Sequence, residues 1–273
     1  MRNRKGSIAI HAVLLIGAAI TILPLIWMVS ASLMPTGQAI TDPPHLFPTE
    51  ITFDHYRELF TRLKLGRAFF NTLLIATTVT AISLLFNSMA GYAFAKLRFR
   101  GRDRIFSVLL AALAIPVQVA MLPLFLMLKS MHLVNTYWGV IIPGMSSIFG
   151  IFLIRQFMLT LPDELLDAAR IDGAGEFRIY WSIIMPLARP ILVTLAIFTF
   201  MGSWNDFMWP LIVLSDDSRY TLPVAMANLV GEHAQDVELM MASAVLTVLP
   251  VLVLFLALQK QYIAGLTVGS VKG

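Results

Sequence analysis

An all-α polytopic membrane protein is the fold class this sequence predicts, and three observations carry the prediction. Hydrophobic residues make up 58% of the 273 residues and charged residues only 13%, about half the charged share of an ordinary soluble domain. Mean hydropathy is +0.79. Six apolar stretches approach or exceed the roughly 20 residues that a helix needs to cross a bilayer.

The composition also excludes several classes. Cysteine is absent, so neither a disulfide framework nor a cysteine-ligated metal site is available. His11, His45, His55, His132 and His233 are scattered without metal-ligand spacing, and no metal ligand is assigned. The net charge of +4 is not clustered with aromatic residues on a polar surface, so nucleic acid is not an expected partner. There is no Gly-x-x-x-x-Gly-Lys-[Ser/Thr] loop to cradle phosphates, no nucleophile elbow and no carboxylate pair set in a cavity. No catalytic residue is therefore expected.

The predicted spans run, in order, over about residues 8–30, 68–94, 105–128, 137–157, 187–211 and 239–258 of one permeating domain, 1–273. The first follows Arg2, Arg4 and Lys5 and resembles a cleavable signal. Its apolar core would extend about 34 Å as a helix, too long for a signal core and right for a retained span. Residues 34–65 carry Pro35, Pro43, Pro44 and Pro48 ahead of a short helical pattern at His55–Phe60. Prolines exclude a long helix there, leaving a small cap that serves as a landing surface for a soluble partner or as a plain connector. Lys96 to Arg104 holds five basic residues and one acidic; an orientation signal suffices to explain it.

Pro116 and Pro123 should bend the third span. Asn87, Gln118, Ser146 and Ser147 are polar within spans and need partners there. Interhelical hydrogen bonding is the favoured reading for each alone, and Asn87, Gln118 and Ser146 are also candidates for a translocation path. Arg155 ends the fourth span. Asn205 and Asp206 interrupt the end of the fifth, beside Trp204 and Trp209, which suit an interfacial belt; they cap helices or face the path.

With the N-terminus inside, 14 of the 20 basic residues lie on the inner side against six of the 16 acidic ones. That asymmetry places both termini and the loop 161–186 in the cytoplasm. In the loop, Pro162 suits a first helical position and Asp163 and Glu164 a first turn. Leu165, Leu166, Ala168 and Ala169 form an apolar stripe, and Gly173 is placed to stop the helix. Glu176 opens a second short helix that Pro186 should end. The motif is helix, glycine turn, helix.

This loop resembles a signature of ABC-importer membrane subunits: Glu-Ala-Ala, three residues, Gly, nine residues, Ile, one residue, Leu-Pro. Here it reads Asp167-Ala168-Ala169, Gly173, Ile183 and Met185-Pro186, with Asp for Glu and Met for Leu. The stretches Gly202–Pro210 and Ile263–Gly273, with Ser32-Leu33-Met34, Asn71-Thr72-Leu73 and Phe99-Arg100-Gly101, resemble the carbohydrate-uptake branch, so the likeness covers nearly the whole chain.

The resemblance implies a type I importer permease: six spans forming half a pathway and a cytoplasmic coupling helix. It is a transporter subunit and not an enzyme, set in a bacterial or archaeal inner membrane. Its implied partners are a second six-span permease subunit, two ATP-binding cassette subunits that hold ATP and Mg, an extracytoplasmic substrate-binding protein and the lipid bilayer. Glu164, Asp167, Ala168, Ala169, Arg170, Asp172, Gly173, Ile183 and Pro186 would form the ATPase-coupling surface. The implied solute is a sugar or oligosaccharide. Glycerol 3-phosphate or a related polyol is the alternative, since those importers share the Asp-Ala-Ala-Arg-Ile-Asp-Gly run. A secondary transporter driven by an ion gradient is the competing class, for which Asp206 is the one ionisable candidate.

Overall fold

The computed structural model describes residues 4–43, 45–61, 64–232 and 236–267. Arg2, Pro44, His233 and the 268–273 part of the C-terminal resemblance lie outside them. Among the described residues every regular element is helical. Four helices are long and apolar enough to cross a membrane, and six if each of two sharply bent pairs is one span.

The chain divides into two compact units, Met1–Gly66 with Ala225–Pro250, and Arg67–Val224 with Val251–Gly273. The first unit begins with α1 (Arg4–Ala31), whose apolar residues from Ile10 onward are largely exposed. The cap that follows is pinned by polar contacts. Ser30 donates to the Leu46 carbonyl at 2.6 Å, and the His55 ring pairs with the Met34 carbonyl at 2.8 Å. The expected short helix is present as α2 (Asp54–Thr61). Met34 and Ala39 pack on Val237 and Met241. The Ala39 N–H donates to Glu238, a carboxylate that is almost wholly buried, at 2.7 Å.

The second unit is organised along α3 (Leu65–Lys96). Toward one end, Ile75 and Val79 join a cluster with Leu128 of α5 (Val117–Ser130), Val140 and Ile141 of α6 (Tyr137–Gly144), and Trp209 and Val213 of α12 (Met208–Val213). Toward the other, Tyr92 and Ala95 join Ile154 and Met158 of α7 (Ile148–Met158), Leu166 of α8 (Glu164–Ile171), and Ile191 and Leu195 of α11 (Arg189–Trp204). Small residues let these helices approach closely. A Cβ on Gly91 would meet Ile154 at 2.5 Å, and one on Gly150 would meet the Asn87 amide at 2.5 Å.

Three predicted spans are interrupted. The third is two helices, α4 (Arg102–Ala112) and α5, set at 103°. The bend falls just before Pro116, because the residue preceding proline avoids the helical region. Pro123 lies inside α5 without breaking it. The fourth breaks at residues 145–147, between α6 and α7. The fifth begins two residues later than expected, at Arg189, after a 78° bend, and ends at Trp204 ahead of α12. The sixth lies within α14 (Val237–Thr267), which follows α13 (Leu222–Glu232).

Candidate functional site

The charged loop begins one residue after Pro162, with Asp163 at the N-cap position and α8 running from Glu164. Asp163 makes no side-chain cap. Its carboxylate is taken instead by Lys96 at the end of α3, and this hydrogen bond holds the Asp163 carboxyl below the usual range. The same ammonium donates to the Leu161 carbonyl at 2.6 Å. Lys96 is only 4% exposed, so its charge is directed entirely into the loop entrance. One basic residue thus does more than orient the chain.

Gly173 closes the helix as expected. Its φ is +80°, a conformation that glycine adopts freely and other residues resist. Its N–H donates to the Arg170 carbonyl at 3.0 Å, and the Ala174 N–H donates to the Ala169 carbonyl at 2.9 Å. Those two bonds form a complete Schellman cap.

Across the turn, Arg170 donates to Glu176 at 2.9 Å and to Asp167 at 2.9 Å. The Tyr92 hydroxyl donates to the other oxygen of Glu176 at 2.6 Å. The hydrogen bond from Arg170, then that from Tyr92, holds the Glu176 carboxyl below its ordinary value. Asp167 is therefore engaged within the loop itself. Asp172 is the C-cap residue and is exposed.

The apolar stripe divides in two. Leu166 is buried in the core and Ala169 packs against it. Leu165, Ala168 and Ile171 face away, with Leu165 46% and Ile171 86% exposed. Phe177 of α9 (Glu176–Ile179) is 71% exposed. The sequence pattern does not single out Ile171 and Phe177; the signal for Ile171 is its three-residue spacing from Ala168. After α9 the chain forms a π-helical turn, Tyr180–Ile184, then α10 (Met185–Leu187). Ile183 is half-buried and Pro186 exposed, while the neighbouring Ile184 enters the core. Single π turns are frequent at functional sites. Here the Tyr180 hydroxyl meets Ser88 of α3 at 2.7 Å.

The five path candidates separate. Asn87 is fully buried; its amide nitrogen donates to Ser83 at 2.7 Å, and its oxygen accepts from Ser146 Oγ and the Ser147 N–H, each at 3.0 Å. Asn87 and Ser146 thus form a clasp over the α6–α7 break. Gln118 is exposed on α5. Asn205 donates to the Met201 carbonyl of its own helix at 2.9 Å. Asp206 lines a cavity of about 320 Å³ toward the other end of α3, with Thr199, Ser203 and Trp209. It accepts from the Trp209 N–H at 3.3 Å.

The second unit thus holds sharply bent apolar helix pairs and, at one end of α3, a capped and charged loop. The chain matches the family described as binding-protein-dependent transport system inner membrane component over residues 87–267. It is 39% identical to the arabinooligosaccharides transport system permease protein AraQ of Halalkalibacterium halodurans, over 99% of this chain and 100% of that one. It is 34% identical to the lactose transport system permease protein LacG of Rhizobium radiobacter, over 100% of this chain and 98% of that one. Among solved structures it resembles a bacterial ABC transporter involved in the import of the acidic polysaccharide alginate, with a TM-score of 0.82 and 26% identity, covering 96% of this chain and 98% of that one. The chain belongs to the binding-protein-dependent transport permeases and has the type I ABC importer permease fold; it is a transport component, not an enzyme.

Proposed function

We propose that this chain is one of two permease halves of an ATP-driven carbohydrate importer. A second six-span permease would complete the pathway, two ATP-binding cassette subunits would hold ATP and Mg, and an extracytoplasmic binding protein would deliver the solute. The cytoplasmic membrane, with both termini inside, is the matching location. Two relatives named for oligosaccharide and lactose transport support the sugar assignment.

The observation that carries the coupling role is the outward face Leu165–Ala168–Ile171 on a helix clamped at both ends. An exposed apolar face outside the predicted spans suits a hydrophobic groove on another protein. The clamp passes a push on α8 into α3 through Lys96 and Tyr92, and into α11 through the shared core. Closure of the ATPase pair would then bias a two-state bundle.

Since the chain has no cysteine, Ala168→Cys introduces a unique label site. It should react with an impermeant reagent only from the cytoplasmic side and crosslink to the ATPase. Labelling from the exterior alone, or solute movement by this chain by itself in vesicles, overturns the proposal.

A further inference from the structure

The cavity beside Asp206 has a chemistry that bears on which solute passes. Thr199, Gly202, Ser203 and Asp206 all line it, and their spacing of three, four and seven residues puts them on one side of α11 and its end. They present two hydroxyls and a carboxylate to one space. Met121 and Leu124 of α5 line the same space, as does Trp209. The Trp209 ring is held by donation from its indole N–H to the Gly139 carbonyl at 3.1 Å. Gly202 contributes room: a Cβ there would meet nothing within 4 Å.

The volume, about 320 Å³, falls within the roughly 300–1,000 Å³ of small-molecule sites, and a few convergent polar groups on apolar walls are their usual make-up. A sugar ring matches both surfaces. Its hydroxyls donate to a carboxylate and exchange hydrogen bonds with Ser and Thr, while its C–H faces pack on apolar and aromatic walls. The lining includes no Lys, Arg or His, and Asp206 is its one charged residue. A phosphate or a uronate would meet a like charge with nothing to neutralise it.

Resting on the importer reading, we propose that this cavity is a carbohydrate station on the translocation path. Asp206, Ser203 and Thr199 engage the hydroxyls of a neutral sugar unit, and the lone carboxylate turns away phosphorylated and uronic-acid solutes. The inference separates this chain from importers of anionic solutes that share its coupling loop.

The test uses the full complex with its partner permease, ATPase and binding protein in proteoliposomes, with lactose, raffinose, an arabinotriose, glycerol 3-phosphate and an alginate trisaccharide as probes. The wild type should take up at least one neutral probe and neither anionic one. Asp206→Asn keeps the hydrogen bond to the Trp209 N–H, since Asn also caps helices well, while it removes the charge and exchanges one acceptor oxygen for an N–H donor. It should lower neutral-sugar uptake at least tenfold while ATP hydrolysis stimulated by the binding protein persists. Gly202→Leu, which fills the cavity, should do the same, and Asp206→Glu should restore part of the uptake. If Asp206→Asn fails to assemble, Gly202→Leu and Thr199→Val decide the matter. Wild-type uptake rates in the assembled variants overturn the station but leave the importer intact, as does uptake of an anionic probe by the wild type. No ATP-dependent uptake of any probe by the wild type overturns the importer reading, and the station with it.

Discussion

Arg170 and Glu176 meet at 2.9 Å across the Gly173 turn, and Glu176 is held from its other side by Tyr92 of α3. A carboxylate at the first turn of one short helix therefore joins α8 to α3, the longest helix of its unit. The pair is half-exposed, so it contributes at most about 1 kcal/mol to stability. Its importance lies in position.

Glu176→Gln should leave the melting temperature of the purified chain nearly unchanged and lower ATP-driven uptake several-fold. The pH dependence follows from the sign of the shift. The Glu176 carboxyl titrates below its ordinary value in the folded chain, so its stabilisation is full above the unfolded carboxylate value of about 4.3 and fades as pH falls through the lower folded one. Amide protection factors over residues 164–184, which are taken relative to the intrinsic exchange rate at each pH, should be high at neutral pH and fall in acid. Asp163, lowered by Lys96, titrates in the same sense. The Gln variant therefore isolates the Glu176 share: its loss of protection in acid should be smaller than that of the wild type.

Substitution at Gly173 should act through backbone strain and not through crowding, because a Cβ there meets nothing within 4 Å. Gly173→Val should cost about 1–2 kcal/mol or more and speed exchange at the C-terminal end of α8. Gly173→Asn should be the mildest replacement, since Asn tolerates the left-handed region. Equal effects from the two would argue that φ is not the constraint.

Asn87→Ala removes three hydrogen bonds at a fully buried position and leaves the Ser147 N–H unpaired at a helix break. A loss of about 1–3 kcal/mol is expected, read as a lower melting temperature in detergent. The solute preference of the surviving complex should be unchanged, because Asn87 clasps helices and does not line the cavity. A change in preference with stability intact would return Asn87 to the path.

Ile171→Asp touches a side chain that is 86% exposed, so the isolated chain should keep its stability within about 0.5 kcal/mol. Co-purification of the ATPase should be lost. Leu166→Ala should behave in the opposite way, destabilising the chain by about 2–5 kcal/mol through a core cavity.

Much of this molecule is local in origin and was readable from residue order. Apolar runs of bilayer length have one stable outcome, since backbone groups in lipid must pair within the segment. The Schellman end at Gly173 follows from a glycine placed after a helical stripe. Pro116 marks a bend because proline restricts its predecessor. Other features depend on which helices come together. Residue order shows five apolar positions in α8, but only packing into the cluster that holds Tyr92 and Ile154 decides that Leu166 turns inward and Ile171 outward. Likewise, Asn87, Gln118, Ser146, Asn205 and Asp206 are alike as polar residues in apolar surroundings. Tertiary contacts give Asn87 and Ser146 to each other, leave Gln118 exposed, return Asn205 to its own helix and set Asp206 in a cavity. A polar group's role is fixed by the partner it finds, and for Asn87 and Ser146 that partner lies 59 residues away.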